Sequence, residues 1–118
     1  MRFVELERFP FFTSQLDHII KKYPLSEKSI KKALSTIISN PSSGDRMPGF
    51  GVINVCKLRH GLKEYRVGKS GGLRIIYAVF NNINGIIFIS VYHKAEYRHE
   101  KDVLAFVRES LKKILTAF

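Results

Sequence analysis

Gly68-Lys69-Ser70-Gly71-Gly72-Leu73-Arg74-Ile75-Ile76-Tyr77 decides how the rest of the chain is read. Three glycines and a serine make a turn, and β-branched and aromatic residues follow it at once. A strand over 72–80 is therefore expected. Alternation places Arg74 on the same face as Ile76 and Ala78, opposite Leu73, Ile75 and Tyr77. An arginine among apolar strand residues is costly unless it is paired or borders an open cleft. Glu64 and Glu96 are candidate partners. The other reading is a fork of donors aimed at a phosphate.

Working outward, 52–59 reads as the preceding strand, joined to 72–80 by a long polar connection. Asn81-Asn82-Ile83-Asn84-Gly85 reads as a tight turn, with Asn-Gly supplying positive φ. A last strand follows over 86–92. Residues 41–51 are rich in Pro, Gly and Ser and read as loop. Upstream, Pro10 opens a helix whose apolar positions are Phe12, Leu16, Ile19, Ile20 and Tyr23, and Pro24 stops it. Ser26 is the expected N-cap of a second helix. Ile30, Ala33, Leu34, Ile37 and Ile38 form its apolar stripe, and Asn40-Pro41 ends it. A short strand over 2–7 opens the chain. From Glu100, Val103, Leu104, Val107, Leu111, Ile114 and Leu115 describe a C-terminal amphipathic helix. The order β-α-α-β-β-β-α predicts an α+β domain on an antiparallel sheet, one domain over 1–118.

The 118 residues carry 20 Lys+Arg against 10 Asp+Glu, a formal charge of +10. A chain this basic seeks polyanions or an acidic partner. At 45 % hydrophobic residues it is globular rather than disordered. The single cysteine, Cys56, excludes an internal disulfide and is expected to be a small buried hydrophobe. No signal peptide or membrane span is visible, so a cytoplasmic location is expected.

Val67-Gly68-Lys69-Ser70 is not a nucleoside-triphosphate loop. That motif needs a glycine five residues before Gly68, where Lys63 stands, and a helix after the lysine. Lys69 and Ser70 remain candidates for touching a phosphate at the turn. Lys57 and Arg59 share a strand face. Beside Arg74, adjacent antiparallel strands would gather all three within a phosphate-sized area. Tyr92, His93 and Lys94 end the last strand with groups suited to base stacking and proton transfer. Tyr92 and Lys94 share a face, so His93 is expected on the other unless the strand has ended. Lys63 and Arg66 lie on the long connection, facing a polyanion such as RNA or simply water. His18, His60 and His99 show no ligand spacing with one another or with Cys56, so no metal site and no cofactor is expected.

Lys57-Leu-Arg59, the Gly-Lys-Ser-Gly-Gly-x-Arg-x-x-Tyr string over 68–77, and Val91-Tyr92-His93-Lys94-Ala-Glu96 together resemble the RelE/HigB toxins of bacterial toxin–antitoxin pairs, nearest the HigB-like branch. The likeness covers most of the chain. It implies a RelE-like fold, with two N-terminal helices packed on a twisted antiparallel sheet and a C-terminal helix. It implies a metal-independent endoribonuclease, an mRNA interferase that cuts messenger RNA in the ribosomal A site. It also implies a cognate antitoxin, often of the helix-turn-helix type. Lys57 and Arg59 match the family's cationic strand, Arg74 its arginine after the glycine turn, and Lys94 a cation at the last strand. Arg74, assisted by Lys57 and Arg59, is expected to stabilise charge. Lys94 or His93 would protonate the leaving oxygen, and Tyr92 would stack on a base or orient the hydroxyl. Relatives often carry a second cation where this chain has Ala95, and their later tyrosine is matched by Tyr92 or Tyr97. A ParE-like gyrase inhibitor, a non-catalytic RNA- or ribosome-binding module and a basic scaffold subunit are the alternatives.

Overall fold

The computed structural model describes residues 2–8, 10–96 and 100–117. A five-stranded sheet is formed by β1 (Val4–Arg8), β2 (Asp45–Arg46), β3 (Asn54–His60), β4 (Leu73–Phe80) and β5 (Gly85–His93), in the order β1-β5-β4-β3-β2. Helices α1 (Pro10–Lys22) and α2 (Glu27–Ser39) precede the meander, and α3 (Glu100–Ala117) follows it. Among the described residues, no helix is long and apolar enough to cross a membrane.

Both faces of the sheet are covered, which explains why β4 and β5 are apolar on both sides. Phe12, Leu16 and Ile19 of α1 and Ile30, Leu34 and Ile37 of α2 form one core with Ile75, Tyr77 and Phe88. On the opposite face Val103, Val107 and Leu111 of α3 close over Val55, Ile76, Ala78, Ile87 and Ile89. The helical stripes expected for α1, α2 and the first turns of α3 are thus the faces that are buried. The side chains of Ile114 and Leu115 lie outside the described residues. Burying the α1–α2 face and the α3 face in separate clusters makes the sheet a partition between two cores.

Strands β2 to β5 pair antiparallel, as the meander requires. β1 instead joins β5 in parallel, with Val4 opposite Gly85. The sheet is therefore mixed, because the chain enters along one edge and returns to it through the whole meander. β2 was expected as loop. Its two residues have no apolar alternation, and only pairing with Lys57 and Cys56 makes them a strand. β3 begins at Asn54 rather than at 52, since Val52 stands 98 % exposed before it. At the tight turn the positive φ belongs to Asn84 (φ 49°), and Gly85 already lies in β5. A bulge interrupts β5: Ile76 faces Ser90 and Tyr77 faces Phe88, leaving Ile89 unopposed.

Ser26 precedes α2 as expected, but its hydroxyl makes no cap bond. It is fully buried and donates to Glu64 Oε1 at 2.8 Å. Tyr65 Oη accepts from Leu25 N at 3.0 Å, and its ring meets Tyr23 edge-on at 5.1 Å. These contacts tie the β3–β4 connection to the α1–α2 junction. Tyr77 does the same for the segment after α2, donating to Pro41 O (2.7 Å) and accepting from Gly44 N (3.0 Å). Burial, followed by the Cys56 thiol, pushes its phenol up to about 12.

Gly72 is the glycine that the packing demands. A Cβ there would collide with His60 O and the Gly61 backbone, which cannot swing aside as a side chain would. Gly72→Ala is expected to cost about 1–3 kcal/mol, the usual cost of overpacking. Urea denaturation of the two proteins measures it.

Candidate RNA-cleavage site

Register, rather than sequence proximity, assembles the candidate site. Arg59 of β3 lies directly opposite Arg74 of β4, and Arg74 lies opposite Tyr92 of β5. One step along, Lys57 faces Ile76. Opposed antiparallel residues have Cα atoms about 4.5–5.5 Å apart, so Lys57, Arg59, Arg74 and Tyr92 share one end of the α3 side of the sheet. The three cations lie on one face of neighbouring strands, as alternation expects, with Arg59 exposed, Lys57 half-buried and Arg74 buried.

Two like charges directly opposed across a ladder repel one another. Arg59 is relieved by Asp45, whose Oδ2 lies 2.9 Å from Nη1. Both groups are solvent-exposed, so this pair is weak and readily exchanged for another anion. Asp45 has no signal in the sequence, because it belongs to a two-residue strand with no apolar alternation.

Arg74 is held differently. It is 5 % exposed. Its Nη1 donates to Lys69 O (2.7 Å) and Leu73 O (3.2 Å), and its Nη2 donates to Ser70 O (3.0 Å). The expected fork of donors exists, but here it grips the carbonyls of the glycine-rich turn. Of the two acids considered as partners, Glu64 accepts from Ser26 and Glu96 lies 3.8 Å from His18. The turn itself is a short 3₁₀ segment, Lys69–Gly71. Its Gly71 N–H donates to Gly68 O and its Gly72 N–H to Lys69 O. The Lys69 and Ser70 side chains stay exposed at the rim, while their carbonyls turn inward to the guanidinium.

Lys94 follows β5 and is exposed, and its N–H donates to Gly72 O at 3.0 Å. The lysine backbone thus abuts the arginine-held turn. Tyr92 is 6 % exposed and belongs to the core beneath α3, so, against the expectation from sequence, its ring has little face left for stacking on a base. His93 points the other way, as alternation expects. It pairs with Leu73, stacks on Tyr23 with ring centroids 5.8 Å apart, and its Nδ1 accepts from Ala95 N. The structure therefore does not bring His93 to the cation row. Lys63 and Arg66 lie on the braced connection beside the α1–α2 junction. Arg66 adopts a left-handed conformation (φ 59°) as that turn closes. Tyr97 lies outside the described residues.

Two buried groups stand apart from the row. Burial raises the Cys56 pKa, and the thiol's contact with Asn54 Oδ1 is 3.5 Å. This is the inert cysteine expected from sequence. His60, on the α2 side of β3, has a buried Nε2 with no hydrogen-bond partner. Burial lowers its pKa from the ordinary 6.5, opposed by Glu64 and aided by Lys69 and Lys63. Among the described residues, no group of three or more His, Cys, Asp or Glu side chains is placed to hold a metal ion.

The sequence matches no protein-family model and no curated protein. The fold does have solved counterparts. The isolated E. coli RelE toxin superposes with a TM-score of 0.56 at 18 % identity, covering 92 % of this chain and 98 % of that one. A variant of E. coli RelE with two arginines changed to alanine, in the free state, gives 0.56 at 19 % identity, covering 97 % and 99 %. The chain has the RelE-like fold.

Two outcomes follow from this geometry. Arg74→Ala strips donors from three carbonyls, so a loss of about 1–3 kcal/mol is expected. Faster protease cleavage within 68–72 at native pH should accompany it, and Arg74→Lys should recover part of the loss. Because His60 binds its proton less readily when folded, its contribution is complete above about pH 6.5 and is lost as pH falls through the depressed value. Melting temperature should decline on acidification from pH 7.5 to 5, and His60→Gln should flatten that part of the slope.

Proposed function

We propose that this chain is the toxin of a toxin–antitoxin pair, a cytoplasmic endoribonuclease that cuts messenger RNA on the ribosome. The single observation behind this reading is the cation row. A basic chain with the RelE-like fold aligns Arg59, Arg74 and Tyr92 across three strands, with Lys57 beside them. No water-activating metal is required, because RNA carries its own nucleophile.

In the proposed reaction the 2′-hydroxyl attacks the adjacent phosphate in line and loses its proton to solvent. Negative charge grows on the phosphoryl oxygens as the 5′-oxygen leaves. Lys57 and Arg59 meet that charge, with Arg59 exchanging the exposed Asp45 carboxylate for phosphate. Arg74 acts from beneath, fixing the turn that carries Lys69 and Ser70 at the rim. Lys94 gives a proton to the departing oxygen. Tyr92 supports the row from the core beneath α3. His93, on the other face, keeps a bracing role against Tyr23. A row of cations with no strong general base suits an enzyme whose substrate is already ordered by the ribosome, since orientation then supplies much of the rate.

The test is cleavage of a message on programmed ribosomes by the purified chain. Products should carry 5′-hydroxyl and 2′,3′-cyclic phosphate ends. Lys57→Ala should lower the rate on the order of 10²-fold and Arg59→Ala at least tenfold, both with unchanged melting temperature. Ends bearing a 5′-phosphate would overturn the chemistry. Arrest of DNA supercoiling without message cleavage would instead assign the chain to gyrase inhibition.

A further inference from the structure

A second basic surface lies on the other side of the sheet from the cation row. Between α2 and the β3–β4 connection runs a groove of about 470 Å³. Its floor is apolar, formed by Ala33, Leu58 and Val67, and Lys32, Lys63 and Lys69 stand around it. No carboxylate lines it. Among the described residues these three lysines make no ion pair, although Lys31 on the same helix pairs with Glu27. The Ser29 and Thr36 hydroxyls in the wall turn back to carbonyls of Ser26 and Lys32. The groove therefore presents positive charge over an apolar bed, with its hydroxyls already satisfied; His60, which also lines it, has a buried Nε2 with no hydrogen-bond partner.

We propose that this groove seats an acidic, amphipathic segment of the inhibitory partner protein, and that its occupation disarms the cation row. The proposal rests on the toxin–antitoxin reading above. Protein interfaces combine an apolar centre with a polar rim, and this groove has that arrangement. A segment placing one or two apolar side chains on Leu58 and Val67, flanked by Asp or Glu, matches both features. A nucleic-acid backbone would use the lysines and leave the apolar bed unfilled.

Inhibition follows from what the groove shares with the row. Arg59, Gly68 and Lys69 all line it, and Lys69 O is an acceptor for Arg74. Carboxylates bound there compete with phosphate for Lys69 and Arg59, and they fix the turn in one position. The partner would thus act from the reverse face, away from Lys57.

The experiment uses the full chain and the purified product of the adjacent reading frame. Backbone hydrogen exchange of the chain alone and in complex should show slowed exchange over 29–36, 58–61 and 67–69. Lys32→Glu combined with Thr36→Glu alters the groove without touching the row. It should weaken the complex at least tenfold, leaving melting temperature and message cleavage by the free chain unchanged. Protection confined to other segments, or wild-type affinity in the double variant, overturns the groove assignment while the toxin–antitoxin reading stands. Loss of affinity for ribosomes in that variant, with partner binding intact, makes the groove an RNA surface and also overturns it. A partner product that fails to bind the wild-type chain removes the toxin–antitoxin reading and the groove proposal together.

Discussion

A guanidinium enclosed by backbone carbonyls holds the functional end of this molecule together. Arg74 is a full charge nearly removed from water, and such a charge is tolerated only when strong acceptors surround it. Here the acceptors come from the turn that precedes its own strand. The arginine and the turn therefore specify each other: the turn satisfies the charge, and the charge fixes the turn. Gly72 makes this possible by letting the chain pass against His60 and Gly61 without a side chain. The exposed cations at the rim inherit their positions from this buried one.

Around that anchor the sheet separates two jobs. On the α3 side, register brings cations and Tyr92 into one row. On the α1–α2 side, Tyr23, Tyr65, Ser26 and Glu64 fasten the β3–β4 connection to the helices. The Ser26–Glu64 bond lowers the carboxyl's pKa, so that carboxylate stays ionised to lower pH than usual. His93 belongs to this second, bracing side through its stack on Tyr23.

What was legible in the sequence follows from periodicity. The stripe of Ile30, Ala33, Leu34 and Ile37 and the alternation around Arg74 are short-range signals, and both faces came out as read. The placement of Lys57, Arg59 and Arg74 on one face followed from the same rule. Other features depend on partners far away in the chain. β2 exists only because β3 lies beside it, and Asp45 meets Arg59 for that reason. The parallel seat of β1 has no local signature. The acceptors of Arg74 are carbonyl oxygens, which every residue possesses, so no residue type betrays them. Ser26 has the right identity for a cap, yet exposed Glu64, far away in the chain, claims its hydroxyl instead.

The parallel seat of β1 also bears on how the molecule is made. Val4 lies beside Gly85, so the first strand synthesised finds its neighbour only after the meander has been translated. Until then the exposed edge of β1, with Val4 and Leu6, has no ladder to join. Contacts that span so much of the chain slow folding through the entropy of loop closure. The RelE-like sheet thus reaches its final order late, and an unfinished chain holds its cations without the frame that aligns them.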